Sequence, residues 1–337
     1  MKDIDSLFFA NNNIISGALD SPSGVIYKHA DTGVAVHRLV IDTGFGECEK
    51  NILFFADTHF ACLNDKDYEE NNPLVKQSYE SRKLHFDLEK ITKNTRKIMN
   101  FSPKFDKTVL LGDSMDFLSY GGLEALKCYV YGVNSDVLVL VGNHDDSRVA
   151  GHKGVDESTR ASREAILETV IKNDIFYHSE MISDRLMLIG MNNCHRRYTE
   201  YQRERLASDI RDAKEKGIKI IIAQHEMINT GRAEDLKLPS MYMNSQWCYN
   251  SAYNFYNGKD KIGTERDDEC TAAVYKMITS SADVISAIFC GHWHNAAYSE
   301  INATYTRDGK SVQTYIPQYV VASAAYADGF MMVLTVK

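Results

Sequence analysis

Five short apolar runs are spaced along the chain and predict buried strands. They cover residues 52–56, 109–111, 137–141, 218–223 and 284–290, and they are rich in aliphatic and aromatic side chains. Continuous runs of this kind are typical of strands that are buried on both faces of a sheet. Each run ends at a short polar segment, and open α/β sheets place their sites at the carboxyl ends of their strands.

The spacing of apolar residues elsewhere predicts helices over residues 76–99, 157–173 and 264–280. The polar residues 64–80 are expected to form a loop, and residues 1–50 to be irregular or β structure. In the tail, strand-like runs are separated by two turns, Asp308-Gly309 and Asp328-Gly329. Asp-Gly turns of this kind indicate antiparallel pairing of the flanking strands.

One further helix has clear signals at both ends. Thr199 and Gln202 form a capping box at its start, and Gly217 marks its end. A strand over residues 186–190 precedes this helix and the apolar run at 218–223 follows it. Residues 185–225 are therefore interpreted as a βαβ unit.

The polar segments that follow the five runs carry residues of the types that bind metal ions or transfer protons. They are Asp57 and His59, Asp113 and Asp116, Asn143 and His144, His225, and His292 and His294. The carboxylate of Asp57 and the imidazole of His59 are two residues apart, so on an extended backbone both point the same way. One cation could then accept both.

The chemistry of this set favours metal ions. Carboxylate and amide oxygens and imidazole nitrogens, without a thiolate, suit Mn, Fe, Zn or similar cations better than a structural zinc site of cysteines. The ligands are too many for one ion and fit two. A carboxylate can bridge two cations at about 3.5–4 Å, and such a pair polarises a phosphoryl group and activates water.

Composition excludes some classes of protein. The 337 residues carry a net charge of −8, which leans against nucleic-acid binding. Seven cysteines without a CxxC pair indicate reduced thiols, and we expect a cytoplasmic protein. No apolar run is long enough to span a membrane, and the N-terminus lacks the pattern of a signal peptide.

A single domain over residues 1–337 is favoured, because no repeat, low-complexity tract or linker divides the chain. Residues 229–263 interrupt the pattern of strands and helices with many aromatic, Asn, Ser and Gly residues. This segment is too aromatic for a disordered linker. It is either an ordered excursion near the site, such as a lid, or a packed loop without a role in function.

The order of the polar motifs closely resembles that of the calcineurin-like metallophosphoesterase superfamily. The pattern of that superfamily is DxH, GDxxD, GNH[DE], a lone H and GHxH. This chain carries the five motifs at residues 57–59, 112–116, 142–145, 225 and 291–294. The resemblance implies an α/β fold of two packed mixed β-sheets flanked by helices, which is a four-layer αββα sandwich.

The resemblance also implies a division of labour among the residues. One metal ion would take Asp57, His59, Asp113 and His294, and the other would take Asp113, Asn143, His225 and His292. Asp113 would bridge the ions together with a hydroxide that attacks phosphorus. His144 would protonate the leaving oxygen, and we expect Asp116, rather than Asp145, to hydrogen-bond a ring nitrogen of His144.

Two subgroups of the superfamily do not fit. The Ser/Thr phosphoprotein phosphatases have an arginine directly after GDxxD, where this chain has Phe117. The purple acid phosphatases have a tyrosine ligand at the position of Asp116. Further contacts to a substrate phosphate could come from Arg148, His195 or Arg196, each of which could equally be a plain surface residue.

The leading hypothesis is therefore a two-metal hydrolase of phosphomonoesters or phosphodiesters, with a small-molecule or other phosphate ester as its partner. A nuclease is the first alternative, since the double-strand-break repair nucleases share the GNHD spelling. The acidic balance and the absence of basic runs count against it. The second alternative is a metal-stabilised scaffold without catalysis, but such proteins typically lose a ligand that this chain retains. The oligomeric state stays open.

Overall fold

The chain folds around two seven-stranded β-sheets that pack face to face. A computed structural model describes residues 13–17, 21–44, 50–150, 157–228, 234–235, 268–326 and 328–337. The predicted segment 229–263 lies outside these residues except for 234–235. Within the described part, none of the helices has the length and apolar character needed to cross a bilayer.

The first sheet contains three of the five predicted strands. Its strands are β1 (Asn13–Gly17), β2 (Val25–Lys28), β3 (Ala35–Ile41), β4 (Lys50–Phe55), β5 (Lys107–Leu110), β6 (Val137–Val139) and β14 (Phe330–Val336). Their order across the sheet is β1-β2-β3-β14-β4-β5-β6. Strands β4, β5 and β6 are parallel neighbours, so their carboxyl ends lie at one edge.

The second sheet contains the other two predicted strands. Its strands are β7 (Tyr177–Ser183), β8 (Leu186–Met191), β9 (Lys219–Gln224), β10 (Glu234–Asp235), β11 (Ile285–Cys290), β12 (Ala297–Arg307) and β13 (Lys310–Val320). Their order is β10-β12-β13-β11-β9-β8-β7. Strands β8, β9 and β11 run parallel, which again gathers their carboxyl ends.

Apolar side chains fill three interfaces and produce four layers. Between the sheets, the rings of Phe54 and Phe289 stack at 4.3 Å. The outer face of the first sheet packs against helix residues such as Ile98, and that of the second against residues such as Leu206. The α/β sandwich of two mixed sheets flanked by helices is thereby confirmed.

Seven α-helices are described. They are α1 (Asp65–Glu70), α2 (Pro73–His85), α3 (Leu88–Met99), α4 (Tyr120–Leu126), α5 (Arg160–Leu167), α6 (Glu200–Lys216) and α7 (Glu269–Thr279). The predicted capping box and Gly217 cap of α6 are both confirmed. The prediction of one helix over 76–99 is wrong, because Asp87 caps a new helix there.

The prediction of a loop over residues 64–80 is also wrong. Asn64 forms a capping box that starts α1, and Asn71 ends α1 in a left-handed conformation. Asn72 then caps α2, with Pro73 at its first position. Caps at both ends stabilise helices in a segment that is too polar to show a clear apolar period.

The two Asp-Gly turns of the tail have different outcomes. Asp308-Gly309 closes the antiparallel hairpin of β12 and β13, as predicted. Asp328-Gly329 precedes β14, which lies in the other sheet, parallel to β3 and antiparallel to β4. The chain therefore crosses between the sheets before this second turn, and no hairpin forms there.

Candidate active site

The residues of the five motifs come together where the two sheets meet. Asp57 and His59 follow β4, Asp113 follows β5, and Asn143 follows β6. His225 follows β9, and His292 and His294 follow β11. The parallel strands deliver these side chains to one place because their carboxyl ends share an edge.

Two groups of candidate metal ligands share Asp113. The first consists of Asp57, His59, Asp113 and His294, and the second of Asp113, His225 and His292. Within each group, one ligand atom per residue lies within 4.8 Å of the others. The grouping matches the division that the family resemblance implies, and Asn143 adjoins the second group through its amide oxygen, 2.9 Å from His225 Nε2.

The backbone is strained at these positions. Positive φ angles occur at Asp57, His59, Asp113, His292 and His294, with values from 47° to 68°. This left-handed region disfavours side chains that carry a Cβ atom, and such strain clusters at functional sites. The residues must therefore be held by the structure around them.

Two glycines allow the motif loops to approach closely. A Cβ atom on Gly142 would lie 2.1 Å from the amide nitrogen of Asp113, and one on Gly112 would lie 2.6 Å from Nδ1 of His225. Both contacts are far inside van der Waals distance. Glycine at these places lets the loops after β5 and β6 and the ring of His225 share one small volume.

The second group presents lone pairs that face each other. His225 Nδ1 donates to the carbonyl oxygen of Leu111 at 2.7 Å, which leaves Nε2 as the ligand atom. This Nε2 lies 2.9 Å from Asn143 Oδ1 and 3.3 Å from both Asp113 Oδ2 and His292 Nδ1. Oxygen and nitrogen acceptors at such distances repel unless a positive charge lies among them, so the residues fit a metal ion.

The first group has the same character. His59 Nε2 lies 2.9 Å from His294 Nε2, which itself lies 3.5 Å from Asp57 Oδ1. Two ligands at about 2.1 Å from one ion are about 3.0 Å apart when the angle between them is 90°. Burial lowers the pKa of His59, which keeps the ring neutral and its lone pair available.

The charges of the site also favour a cation. Burial raises the pKa of Asp113, but His225 and His144 outweigh it and hold that pKa well below its usual range. Burial lowers the pKa of His225, but Asp113 and Asp57 raise it to about 10 overall. The second group therefore attracts positive charge, either a proton on His225 or a metal ion in its place.

His144 lies beside the shared carboxylate. Its backbone N–H donates to Asp113 Oδ1 at 2.8 Å, and its Nδ1 donates to the carbonyl oxygen of Asp116 at 2.8 Å. The same Nδ1 lies 3.2 Å from Asp116 Oδ1. The expected contact between Asp116 and a ring nitrogen of His144 is thus present. Although burial lowers the pKa of His144, Asp113 and Asp116 raise it overall.

Asp145 hydrogen-bonds backbone N–H groups rather than the ring of His144. Its carboxylate accepts from the N–H groups of Gly142, Ser114 and Met115 at 2.8, 3.2 and 2.8 Å. Burial and the neighbouring Asp113 raise the pKa of Asp145 to about 7, against these hydrogen bonds. Asp145 therefore ties the loop after β6 to the loop after β5.

The three residues predicted to contact phosphate have different surroundings. Arg148 pairs with Glu70. Arg196 lies 3.4 Å from Glu226, directly after His225, and its side chain is 38% exposed. The side chain of His195 lies outside the part of the structure that is described. A role in substrate binding stays a prediction for all three.

Sequence reasoning missed Arg82. This residue lies in α2, and its Nε contacts Asp116 Oδ2. Only 14% of its side chain is exposed. No motif surrounds Arg82 in the sequence, and the predicted helix over residues 76–99 does not show that α2 ends at His85.

Comparisons with known proteins agree with the motifs. A model of the calcineurin-like phosphoesterase family matches residues 50–296, which include every candidate ligand. No curated protein matches the chain.

Several solved structures are similar at low sequence identity. A dimetal phosphatase from Danio rerio is 11% identical over 82% of this chain and 88% of its own, with a TM-score of 0.43. A purple acid phosphatase from yellow lupin (Lupinus luteus) seeds is 12% identical over 92% of this chain and 48% of its own, with a TM-score of 0.42. A putative 5′-nucleotidase from Staphylococcus aureus is 12% identical over 82% and 49%, with a TM-score of 0.37. Because the family model matches residues 50–296, which are most of the chain, the chain belongs to the calcineurin-like phosphoesterase family.

Proposed function

We propose that the protein is a binuclear-metal-dependent hydrolase of phosphate esters, in which His144 protonates the oxygen of the leaving group. The observation that carries this proposal is the sharing of Asp113 between two groups of candidate ligands. A shared carboxylate is the arrangement that holds two cations at a short, fixed separation.

Seven residues would hold the ions. They are Asp57, His59, Asp113, Asn143, His225, His292 and His294. Two transition-metal ions (Mn, Fe or Zn) bound there would supply Lewis acidity to the phosphoryl oxygens and to the attacking water.

The protein itself supplies orientation and a proton. The Asp113 Oδ1 contact fixes the backbone of His144, and the Asp116 carbonyl fixes its ring with Nδ1 protonated. Nε2 is then the ring nitrogen that can face the substrate. Because Asp113 would be occupied by metal, Asp116 is the carboxylate left to favour the charged ring, which a general acid needs near neutral pH.

The substrate class is a small-molecule or other phosphate ester. The net charge of −8 makes a nucleic-acid substrate the weaker choice. Arg196, near the second ligand group, is our candidate for a further contact to the phosphate or its substituent. A cytoplasmic location agrees with the cysteine content and stays part of this proposal.

The test combines metal content with hydrolysis. The wild type, His144→Ala and the control His85→Ala are purified, loaded with Mn and measured by elemental analysis. His85 is exposed at the end of α2 and makes a matched control. Each protein is then assayed with phenyl phosphate and with a phenyl phosphodiester, whose basic leaving oxygens need a general acid. The two esters also separate monoesterase from diesterase activity.

We expect about two ions per chain in all three proteins, with hydrolysis lost by about 10²–10⁴-fold only in His144→Ala. Metal that fails to bind the wild type would refute the binuclear site. Two bound ions without hydrolysis of either ester by the wild type would favour the scaffold instead. Full activity in His144→Ala would remove the proposed acid.

A further inference from the structure

We propose that Arg82 is a positioning residue for His144 and acts through Asp116. This inference rests on the proposed function. It adds a residue from a different part of the chain, since α2 contributes no metal ligand in the described structure.

The two carboxylate oxygens of Asp116 have separate partners. Oδ1 lies 3.2 Å from His144 Nδ1 and 3.3 Å from His59 Nδ1. Oδ2 contacts Arg82 Nε on the other side. The carboxylate therefore stands between a fixed guanidinium and two imidazoles, and only 7% of its side chain is exposed.

A carboxylate can rotate about its Cβ–Cγ bond and exchange its oxygens. With one oxygen held by Arg82, the other is directed at the two rings. The attraction between a guanidinium and a carboxylate is stronger where both are shielded from solvent, as in this pair. Loss of this partner would allow Asp116 to turn away from His144.

Arg82 is itself held in place. It lies in the last turn of α2, where the N–H of Phe86 donates to its carbonyl oxygen at 2.9 Å. Its guanidinium lies 5.1 Å from the centre of the Phe86 ring. Phe117, which directly follows Asp116, cannot take over the role of Arg82, because its apolar side chain is fully buried in a cluster with Val75.

The contrast between leaving groups tests this role. A general acid matters most when the leaving oxygen is strongly basic, and little when it is weakly basic. The Mn-loaded wild type, Arg82→Met and Arg82→Lys are assayed with phenyl phosphate and with 4-nitrophenyl phosphate, or with the matching diesters. Arg96→Met is the control, because Arg96 also lies in the last turn of a helix over an aromatic ring, that of Tyr129.

For Arg82→Met we expect kcat to fall about 10- to 100-fold with phenyl phosphate but less than about threefold with 4-nitrophenyl phosphate, with KM unchanged. Arg82→Lys restores part of the loss, and Arg96→Met changes neither substrate. In an Asp116→Asn background, Arg82→Met has no further effect, because the two residues act as one unit. Metal content and thermal unfolding temperature, measured on the same samples, stay close to the wild type.

Three outcomes would overturn the inference. Equal losses with both esters would mean a structural role, and a rise in KM alone would mean that Arg82 binds the phosphate directly. A loss of metal would mean that Arg82 acts through His59. Hydrolysis by the wild type in these cases leaves the proposed function standing, whereas a wild type that hydrolyses neither ester overturns both.

Discussion

The buried His37 offers a sharp test of how the first sheet is packed. His37 lies in β3 and is fully buried. Its Nε2 donates to the carbonyl oxygen of Ser23 at 2.6 Å, and its ring forms a T-shaped pair with that of Phe330, with 6.4 Å between the ring centres. Burial lowers the pKa of His37 to about 4, despite the hydrogen bond to Ser23. The folded protein therefore keeps this ring neutral in mildly acidic solution.

The direction of the effect follows from proton binding. In the unfolded chain His37 takes up a proton as the pH falls below its ordinary pKa of 6.5, whereas in the folded protein it does so only near pH 4. Stability from this residue is complete above pH 6.5 and is lost as the pH falls toward 4. A pKa difference of about 2.5 corresponds to about 3 kcal/mol of unfolding free energy.

The assay is urea unfolding followed by circular dichroism at several pH values between 7.5 and 4.5. His37→Gln cannot titrate, so its free energy of unfolding is expected to fall less over this interval than that of the wild type, by about 2–3 kcal/mol. All other groups titrate in both proteins and cancel in the difference. His85→Gln, an exposed histidine in α2, is expected to follow the wild type.

Parallel curves for the wild type and His37→Gln would refute the reasoning. They would mean that the ring is hydrated in solution, and that β3 does not pack against Phe330 as the structure has it. A lower stability of the variant at every pH would not matter, because the prediction concerns the change with pH and not the absolute value.

Two further predictions concern the metal centre. Asp113→Asn keeps an oxygen for the N–H of His144 but removes the negative charge shared by both ligand groups. The metal content is therefore expected to fall from about two ions per chain to one or fewer. A variant that retains two ions would exclude Asp113 as the bridge. Gly142→Ala places a Cβ atom 2.1 Å from the Asp113 nitrogen and is expected to cost about 3 kcal/mol in urea unfolding and to lower metal content. Its control is Gly217→Ala, where the added Cβ atom meets nothing within 4 Å. Only the strain of the positive φ angle, about 1 kcal/mol of stability, is expected there, without loss of metal. Equal losses of stability and metal in both variants would contradict the close approach at Gly142.

The placement of the site could be predicted because the sequence signals it locally. Residues 52–56, which include most of β4, form an uninterrupted apolar run, and Asp57 directly follows this run. Once the strands are parallel neighbours, their ends must meet at one edge. Neither step requires knowledge of contacts between distant residues, which is why the residues that converge are the ones that follow the runs.

The parts that could not be predicted depend on such distant contacts. Arg82 meets Asp116 only because α2 packs beside the loop after β5, and nothing near Arg82 in the sequence indicates this partner. Likewise, β14 inserts between β3 and β4, about 280 residues or more from both along the chain. In the sequence, the Asp328-Gly329 turn before β14 resembles the Asp308-Gly309 turn of the β12–β13 hairpin, and only the packing of the two sheets distinguishes the two turns.

The strain at the ligand positions links the fold to its chemistry. A positive φ at a residue with a Cβ atom costs about 1 kcal/mol or more, and five candidate ligands share this cost. Bonds between the loops offset it: His59 N–H donates to the carbonyl of Asp113 at 3.0 Å, and Ser323 Oγ donates to that of Asp57 at 2.7 Å. These contacts join elements from both sheets and use none of the candidate ligand atoms. The folded backbone itself therefore holds the candidate ligands near each other, and we expect metal binding to require little rearrangement of these loops.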